Sequence, residues 1–174
     1  PKMVYISNST ELGTIYTKAE LTAIHDICKE KGLILFLDGA RLGSALTSKS
    51  NDLEIKDIAD LVDVFYIGGT KNGALLGEAL FEDNLFFELA SHANKMAEKI
   101  ADIFIKAGIK FYTEPCSNQL FPIIPNKLMV KMSKEFGFIE QQKIDKDNTV
   151  VRFVTSWATT EESVDAIRKF FENK

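Results

Sequence analysis

The feature that most constrains the fold is an uninterrupted apolar run, residues 33–37, that ends in the carboxylate of Asp38. Such a run is typical of a strand buried on both faces, as the strands of parallel sheets are. Apolar runs at 3–7 and 64–67 predict two more strands. Helical patterns separate the runs, so we expect a mostly parallel α/β sheet, whose ligands bind at the carboxyl ends of the strands.

Helix signals occupy the intervals between these strands. Thr17 and Glu20 have the spacing of a capping box and predict a helix that starts at Thr17 and ends near Gly32. The apolar spacing predicts its inward face: Leu21, Ile24, Ile27 and Cys28. The interval 41–61 predicts a polar loop at 48–52 and then a short helix with three inward residues: Ile55, Ile58 and Ala59.

The character of the sequence changes after residue 80. A long helical pattern runs from Phe81 to about Ala107 and stops at Gly108, with four residues predicted inward: Leu85, Leu89, Met96 and Ile100. Short strands follow at 110–112, 120–124 and 149–155, and Thr159 with Glu162 predicts the start of a last helix. We therefore expect residues 1–80 to be part of a large domain and residues 81–174 to form a small α+β C-terminal domain.

Charge and composition exclude several classes of function. The 25 acidic and 21 basic residues give a net charge of −4 without a basic run, which argues against a surface for nucleic acid or membranes. No apolar stretch reaches the roughly 20 residues of a membrane span and no signal peptide is recognisable, so we expect a cytoplasmic protein. The two cysteines are far apart and the two histidines lie in helical patterns, so neither a metal site nor a serine–histidine triad is expected.

Two short segments carry candidate chemistry. Asp38 at a strand end needs a partner for its desolvated charge, either Arg41 or the protonated ring nitrogen of a ligand. Lys71 follows Gly68-Gly69-Thr70, where a flexible backbone lets an amine approach a cofactor, although a lysine after a strand is more often a solvated loop residue. A phosphate-binding loop is excluded, because Asn72 rather than Ser or Thr follows the lysine.

The strings ISNSTELGTIY, FLDGARLGSAL, DVFYIGGTKNGALLGEAL and VRFVTSWATTEESVDA resemble the low-specificity L-threonine aldolase family. This family lies within the aromatic amino acid β-eliminating lyases, a group of fold-type I enzymes that use pyridoxal 5′-phosphate (PLP). The resemblance implies that Lys71 carries the cofactor covalently and that Asp38 keeps its pyridine nitrogen protonated. It also implies cofactor contacts for Thr70 and for Arg41.

The resemblance assigns the substrate to two arginines and one loop. Arg41 is expected beside the substrate carboxylate, and Arg152 is expected to pair with it, although an arginine on an alternating strand could also be an outward surface charge. Asn8, Ser9 and Thr10 match a stretch that borders the substrate side chain. Many aldolases have a histidine at the position of Thr10, so the group that handles the β-hydroxyl proton is not identified.

The resemblance predicts a lyase that cleaves L-threonine, or a related β-hydroxy amino acid, to glycine and an aldehyde. Two alternatives stay open: β-elimination on another amino acid, and a truncated, inactive paralogue that acts by association with other chains. Family members carry further residues before Pro1 and between Leu80 and Phe81, so we read the chain as a fragment. A homodimer or homotetramer is expected from the resemblance.

Overall fold

The computed structural model describes residues 1–73 and 83–172. Its first sheet contains three strands, β1 (Met3–Ser7), β2 (Ile34–Gly39) and β3 (Val64–Ile67), in the order β1-β2-β3. Both pairings are parallel. Helices α1 (Lys18–Lys31) and α3 (Ile55–Leu61) lie in the two crossovers. The predicted α/β fold with a parallel sheet is therefore confirmed.

The boundaries of α1 follow from local chemistry, as predicted. The Thr17 side chain accepts a hydrogen bond from the Glu20 N–H, and the Glu20 carboxylate accepts one from the Thr17 N–H at 2.8 Å. Gly32 ends the helix with a φ of 61°, a left-handed conformation that glycine adopts at little cost. Leu21 and Cys28 are buried, but the prediction for Ile27 is wrong, because this residue points to solvent on the outer side of the helix.

The prediction that β2 is buried on both faces is wrong. Leu35 and Leu37 are fully buried against α1 and α3, whereas Ile34 on the opposite face is 48% exposed. Side chains of a strand alternate between faces, and the helices of residues 1–73 cover only one face of this sheet. Phe36 and Asp38 therefore lie on the more open face, and Asp38 lies inside the strand rather than after it.

The connection from β2 to β3 contains one unpredicted helix, α2 (Leu42–Leu46), before α3. Ile58 is buried as predicted, but Ile55 and Ala59 are exposed, so these two predictions are wrong. Asp57 is buried instead. Its carboxylate accepts the Glu54 N–H at 2.9 Å and pairs with the Lys18 ammonium at 2.7 Å, which satisfies the charge.

The second half of the chain is built on a long helix and an antiparallel sheet. Helix α4 (Leu85–Lys106) is followed by β4 (Gln119–Leu120), β5 (Ile123–Pro125), α5 (Asn126–Met132), β6 (Ile139–Lys143), β7 (Asn148–Val154) and α6 (Glu161–Glu172). Strand β7 pairs with β4, β5 and β6. The core between sheet and helices includes Phe104, Ile124, Val151, Val164 and Ile167.

Several predictions for this half need correction. Met96 and Ile100 are buried as predicted, but Leu85 is exposed and Leu89 is only half-buried, because α4 turns Phe86 and Ala90 inward instead. The predicted strand 110–112 is a single bridge between Phe111 and Pro122. The predicted strand 120–124 is two short strands that are interrupted at Pro122, whose ring removes a backbone donor.

The last helix begins later than the sequence suggests. Thr160, not Thr159, accepts the backbone N–H of Ser163, at 3.3 Å, while the Thr159 hydroxyl accepts the N–H of Ser156 at 2.9 Å. Three predictions lie outside the described residues: the start of the long helix at Phe81, the domain boundary after residue 80 and the Leu80–Phe81 junction. Within the described ranges, no helix is long and apolar enough to cross a membrane.

Candidate active site

Asp38 lies near the carboxyl end of β2, in register with Ser7 of β1 and Tyr66 of β3. Its Oδ2 accepts the Tyr5 hydroxyl at 2.6 Å, and its Oδ1 accepts the Ala40 N–H at 2.8 Å. Burial alone would raise the pKa of Asp38, but hydrogen bonds from Tyr5, Tyr66 and Ala40, with the nearby charge of Lys71, lower the pKa below its ordinary value. The carboxylate is therefore ionised at neutral pH.

Arg41 is not an ion-pair partner of Asp38. No salt bridge within 4.0 Å joins the two residues in the described part of the chain, although the Asp38 charge acts on the Arg41 guanidinium at longer range. The structure therefore does not support the alternative in which Asp38 only forms an ion pair with Arg41.

Lys71 is brought to the same edge by a close approach of two backbone segments. The Gly68 N–H donates to the Gly39 carbonyl at 2.9 Å, and a Cβ at Gly68 would lie 2.7 Å from the Cα of Ala40. Only glycine allows this contact, which sets the turn that carries Lys71 against the segment that follows Asp38.

The surroundings of Lys71 make its ammonium group easier to deprotonate than that of a fully solvated lysine. Burial lowers the pKa of Lys71, and the positive charges of Arg41 and Arg152 lower it further, against the opposing charges of Asp38 and Glu11. Lys71 forms no ion pair within the described ranges. Its amine is therefore easier to deprotonate, and so more nucleophilic, than that of an ordinary surface lysine.

Thr70 and Lys71 belong to one turn of 3-10 helix, Thr70–Asn72, which ends at Gly73. Thr70 is exposed, and its carbonyl accepts the Gly73 N–H at 3.2 Å. Gly73 has a φ of 86°, and a Cβ there would lie 2.7 Å from Nε1 of Trp157. The Trp157 indole, from the loop after β7, therefore packs on the segment that carries the lysine.

Arg41 and Arg152 converge on this edge from different halves of the chain. Arg41 directly precedes α2, and Arg152 lies in β7 between the buried residues Val151 and Phe153. The Nε atoms of both arginines are buried and have no hydrogen-bond partner within residues 1–73 and 83–172. Burial and the charge of Arg152 lower the pKa of Arg41. Arg152 is therefore not an outward surface charge, and two guanidinium groups with unused donors fit an anionic ligand such as a carboxylate.

A buried group of polar side chains fixes the elements that carry these arginines. The Ser44 hydroxyl in α2 lies 2.6 Å from Asn94 Oδ1 in α4 and accepts the Asn118 N–H at 3.1 Å. Asn118 Nδ2 donates to the Thr155 carbonyl at 2.7 Å, just after β7. We call these residues, Ser44, Asn94, Asn118 and Thr155, the Ser44 network; all four are buried.

The loop after β1 presents Asn8 and Thr10 differently. Asn8 donates its backbone N–H to the Asp38 carbonyl at 3.1 Å, while its fully buried side-chain amide and the buried Ser9 hydroxyl have no hydrogen-bond partner among the residues that the structure describes. The Thr10 hydroxyl lies 2.7 Å from the Thr14 hydroxyl and is thus engaged within the loop. Asn8 and Ser9 are therefore the residues of this loop whose buried polar atoms lack a partner in the described part of the chain.

Side chains from the second half hold this loop in place. Ser117 Oγ donates to the Gly13 carbonyl at 2.8 Å, Thr113 Oγ1 donates to the Leu12 carbonyl at 2.9 Å, and Gln119 Nε2 donates to the Thr10 carbonyl at 3.1 Å. Gly13 has a φ of 74°, and a Cβ there would lie 2.9 Å from the Gln119 carbonyl oxygen.

Three residues at this site were not identified from the sequence. The Tyr5 hydroxyl donates to the Asp38 carboxylate, and Tyr66 lies opposite Asp38 in the sheet. Glu11 accepts the Ser7 hydroxyl at 2.7 Å, and its charge acts on both Arg41 and Lys71. Tyr5 could have been found from the sequence, because alternate residues of a strand share a face and Tyr5 is therefore on the same face as Met3 and Ser7.

Comparisons with known proteins bear on this arrangement. The chain is 28% identical to the low specificity L-threonine aldolase of Pseudomonas aeruginosa over 170 positions, which cover 77% of the chain and 47% of that enzyme. It is 29% identical to the enzyme of the same name from a Pseudomonas species over 205 positions, 94% of the chain and 57% of the relative. The chain thus spans about half the length of the curated relatives it matches.

The second alignment has more positions than the 174 residues of the chain, so that relative contains residues inside the matched region that this chain lacks.

Solved structures show the same relationship. The chain matches the threonine aldolase of Leishmania major with a TM-score of 0.94 and 39% identity, over 99% of the chain and 61% of that structure. A putative L-allo-threonine aldolase from Listeria monocytogenes (TM-score 0.72, 17% identity, 98% of the chain and 61% of that structure) shares the fold. So does an aromatic aminotransferase from Pyrococcus horikoshii (TM-score 0.66, 14% identity, 99% of the chain and 59% of that structure).

The family model of beta-eliminating lyases matches residues 1–120, which include Asp38, Arg41 and Lys71. Those residues make up more than half of the sequence, and the match agrees with the resemblance carried by the four strings. The chain belongs to the beta-eliminating lyase family.

Proposed function

We propose that the protein to which this chain belongs is a PLP-dependent lyase that cleaves L-threonine, or a related β-hydroxy amino acid, to glycine and an aldehyde. The observation that carries the proposal is the convergence of Arg41 and Arg152, both with unused donors, on the edge that holds Asp38 and Lys71. This set of groups suits a small zwitterionic substrate and a cofactor with a basic ring nitrogen.

The residues of this edge fit PLP. Asp38 is ionised and can accept a hydrogen bond from a protonated pyridine nitrogen, and Lys71 offers an amine with a lowered pKa for the covalent link to the cofactor. When bound, PLP supplies an electron sink for the carbon that carries the amino group of the substrate.

The arginines orient the substrate. A carboxylate between the guanidinium groups of Arg41 and Arg152 would receive charge-assisted hydrogen bonds from planar donors, which fixes the direction of the other bonds at the α-carbon. The carboxylate would also offset the repulsion between the two arginines. The Ser44 network fixes the elements on both sides of this clamp, so the distance between the arginines is set before the substrate binds.

Cleavage requires that the β-hydroxyl loses its proton while the bond between the α- and β-carbons breaks. The electron pair of that bond stays with the α-carbon, which then takes up a proton to give glycine, and the hydroxyl oxygen becomes the aldehyde carbonyl. The Thr10 hydroxyl is engaged with Thr14 and the Asn8 amide is fully buried, so we assign this proton to neither residue.

The cofactor site can be tested by mass spectrometry. The full-length protein is incubated with PLP, reduced with borohydride, weighed intact and digested for peptide mapping. We expect one phosphopyridoxyl group on Lys71, its loss in Lys71→Ala, and its retention in the exposed-lysine control Lys49→Ala. If the protein has bound PLP and Lys71 is nevertheless unmodified, the cofactor assignment is refuted.

Product analysis then decides between reactions. Glycine and an aldehyde support the aldolase, whereas a keto acid and ammonia support β-elimination, the second candidate, which the family match favours. A protein that takes up no PLP and releases no product would instead support the association hypothesis. We further propose a homodimer or homotetramer in the cytoplasm, to be measured by light scattering and cell fractionation.

A further inference from the structure

We propose that Tyr5 and Tyr66 are positioning residues that hold the Asp38 carboxylate ionised and aimed at the pyridine nitrogen of the cofactor. This inference rests on the proposed function, because it assigns a role to residues that contact Asp38 rather than the cofactor or the substrate. Tyr5 lies outside the four strings that carry the family resemblance, and Tyr66 lies in one of them without an assigned role.

The strand register brings the two phenols to one carboxylate. Asp38 on β2 is directly opposite Tyr66 on β3 and Ser7 on β1. Tyr5 is two residues before Ser7 on the same strand. All of these residues are on the more open face of the sheet, because residues two apart along a strand share a face. Asp38 therefore has a tyrosine on each side.

The rings are held by an aromatic row across the sheet. The Phe36 ring stacks on Tyr5 with centroids 5.4 Å apart and meets the Tyr66 ring edge-on at 6.0 Å. Tyr5 and Tyr66 are 54% and 44% exposed; the Tyr5 hydroxyl donates to Asp38, and Tyr66 lies directly opposite Asp38 in the sheet. Such contacts restrict the rings, so the hydroxyls are directed before a ligand arrives.

The number of acceptor sites on the carboxylate leaves room for a ligand. A carboxylate offers about four lone-pair sites. The Tyr5 hydroxyl takes one on Oδ2 and the Ala40 N–H takes one on Oδ1, and Tyr66, opposite Asp38 in the sheet, is placed to use a third. About one site is left, which suits a single N–H donor such as a protonated pyridine nitrogen.

These hydrogen bonds also make the carboxylate a weaker base. A carboxylate that already accepts hydrogen bonds has less tendency to take a proton from its partner. The positive charges of Lys71 and Arg41 act on Asp38 in the same direction. With both tyrosines in place, the shared proton stays on the ring nitrogen, where it is needed for the ring to accept electrons.

The first test concerns Asp38 without cofactor. Full-length protein with carbon-13 in its aspartate carboxyl groups is titrated by NMR, and the Asp38 signal is assigned with Asp38→Asn. We expect the Asp38 titration to move to higher pH in Tyr5→Phe and Tyr66→Phe, and further in the double variant. Tyr112→Phe is the control, because Tyr112 is similarly exposed, at 43%, and lies in the other half of the chain, outside the sheet that holds Asp38. An unchanged titration in the double variant would overturn the proposal.

The second test follows the proton in the loaded enzyme. With nitrogen-15 in the pyridine ring, the chemical shift should mark a protonated nitrogen in the wild type and move toward the unprotonated value in the double variant. We expect kcat to fall about tenfold, the scale of one hydrogen bond to a charged group, with little change in KM.

Two results separate this inference from the proposed function. If the wild type takes up no PLP but the Asp38 titration moves in the variants, the proposed function fails and the control of Asp38 by its tyrosines stands. If PLP binds to Lys71 and the nitrogen-15 shift is the same with and without the tyrosines, the inference fails and the proposed function stands.

Discussion

Replacing Ser44 by alanine should destabilise the protein strongly, because the Ser44 hydroxyl is buried and bonded to two other elements of the fold. The Ser44 hydroxyl donates to Asn94 Oδ1 at 2.6 Å and accepts the Asn118 N–H at 3.1 Å. Ser44→Ala leaves two buried polar groups without this partner. Each such group costs about 1–3 kcal/mol, so we expect the free energy of unfolding to fall by about 2–6 kcal/mol.

The assay is equilibrium unfolding of the full-length protein in urea, followed by circular dichroism, with an unchanged slope as the check that only stability has moved. Ser133→Ala is the matched control, since the exposed Ser133 hydroxyl donates only to the Val130 carbonyl, and it should cost less than about 0.5 kcal/mol.

A double-mutant cycle sharpens the interpretation. Asn94→Ala removes the acceptor that Ser44→Ala leaves unsatisfied, so the double variant should lose less stability than the sum of the single variants, by about 1 kcal/mol or more. Additive losses, or a Ser44→Ala loss no larger than that of Ser133→Ala, would refute the reasoning. Because the Ser44 network joins the elements of Arg41 and Arg152, Ser44→Ala should also raise KM for the amino acid.

Three further predictions follow from the geometry. Arg152→Lys keeps the charge but loses the planar fork, so KM for the amino acid should rise about tenfold or more, whereas the exposed control Arg168→Lys should leave KM unchanged. Gly13→Ala and Gly108→Ala both force a left-handed φ on a side chain, at 74° and 77°, but only the Cβ at Gly13 meets another atom, so Gly13→Ala should cost about 1–3 kcal/mol more in urea unfolding. The hydrogen bonds from Lys18 and from the Glu54 N–H lower the pKa of Asp57 below its ordinary value of 3.8. The free energy of unfolding of the wild type should therefore exceed that of Asp57→Asn by its full amount at neutral pH, and this difference should shrink as the pH falls below 3.8. A difference that stays constant through this range would contradict the assignment.

Features set by neighbouring residues could be predicted from the sequence. The Thr17–Glu20 capping box and the left-handed Gly32 depend on contacts within a few residues, and both are present as predicted. The three parallel strands followed from apolar runs separated by helices. Their order put Asp38 and Lys71 at one edge of the sheet, because the carboxyl ends of parallel strands lie together.

Features set by distant residues could not be predicted in this way. Ile34 and Leu35 look equally apolar in the sequence, and only the position of α1 and α3 decides which of them is buried. In the same way, the unused Nε atoms of Arg41 and Arg152 depend on the packing of β7 against α2 through the Ser44 network. Family resemblance named both arginines, but no pattern of periodicity or spacing would have placed them together.

The packing of Trp157 on Gly73 has a practical consequence. Trp157 is the single tryptophan of the 174 residues, and Gly73 is two positions from Lys71. Its intrinsic fluorescence therefore originates beside the candidate cofactor lysine, where a chromophore that absorbs near the indole emission would quench it by energy transfer. The fold thus contains a natural optical probe, which would report in real time both the occupation of the site and any separation of the lysine turn from the loop after β7.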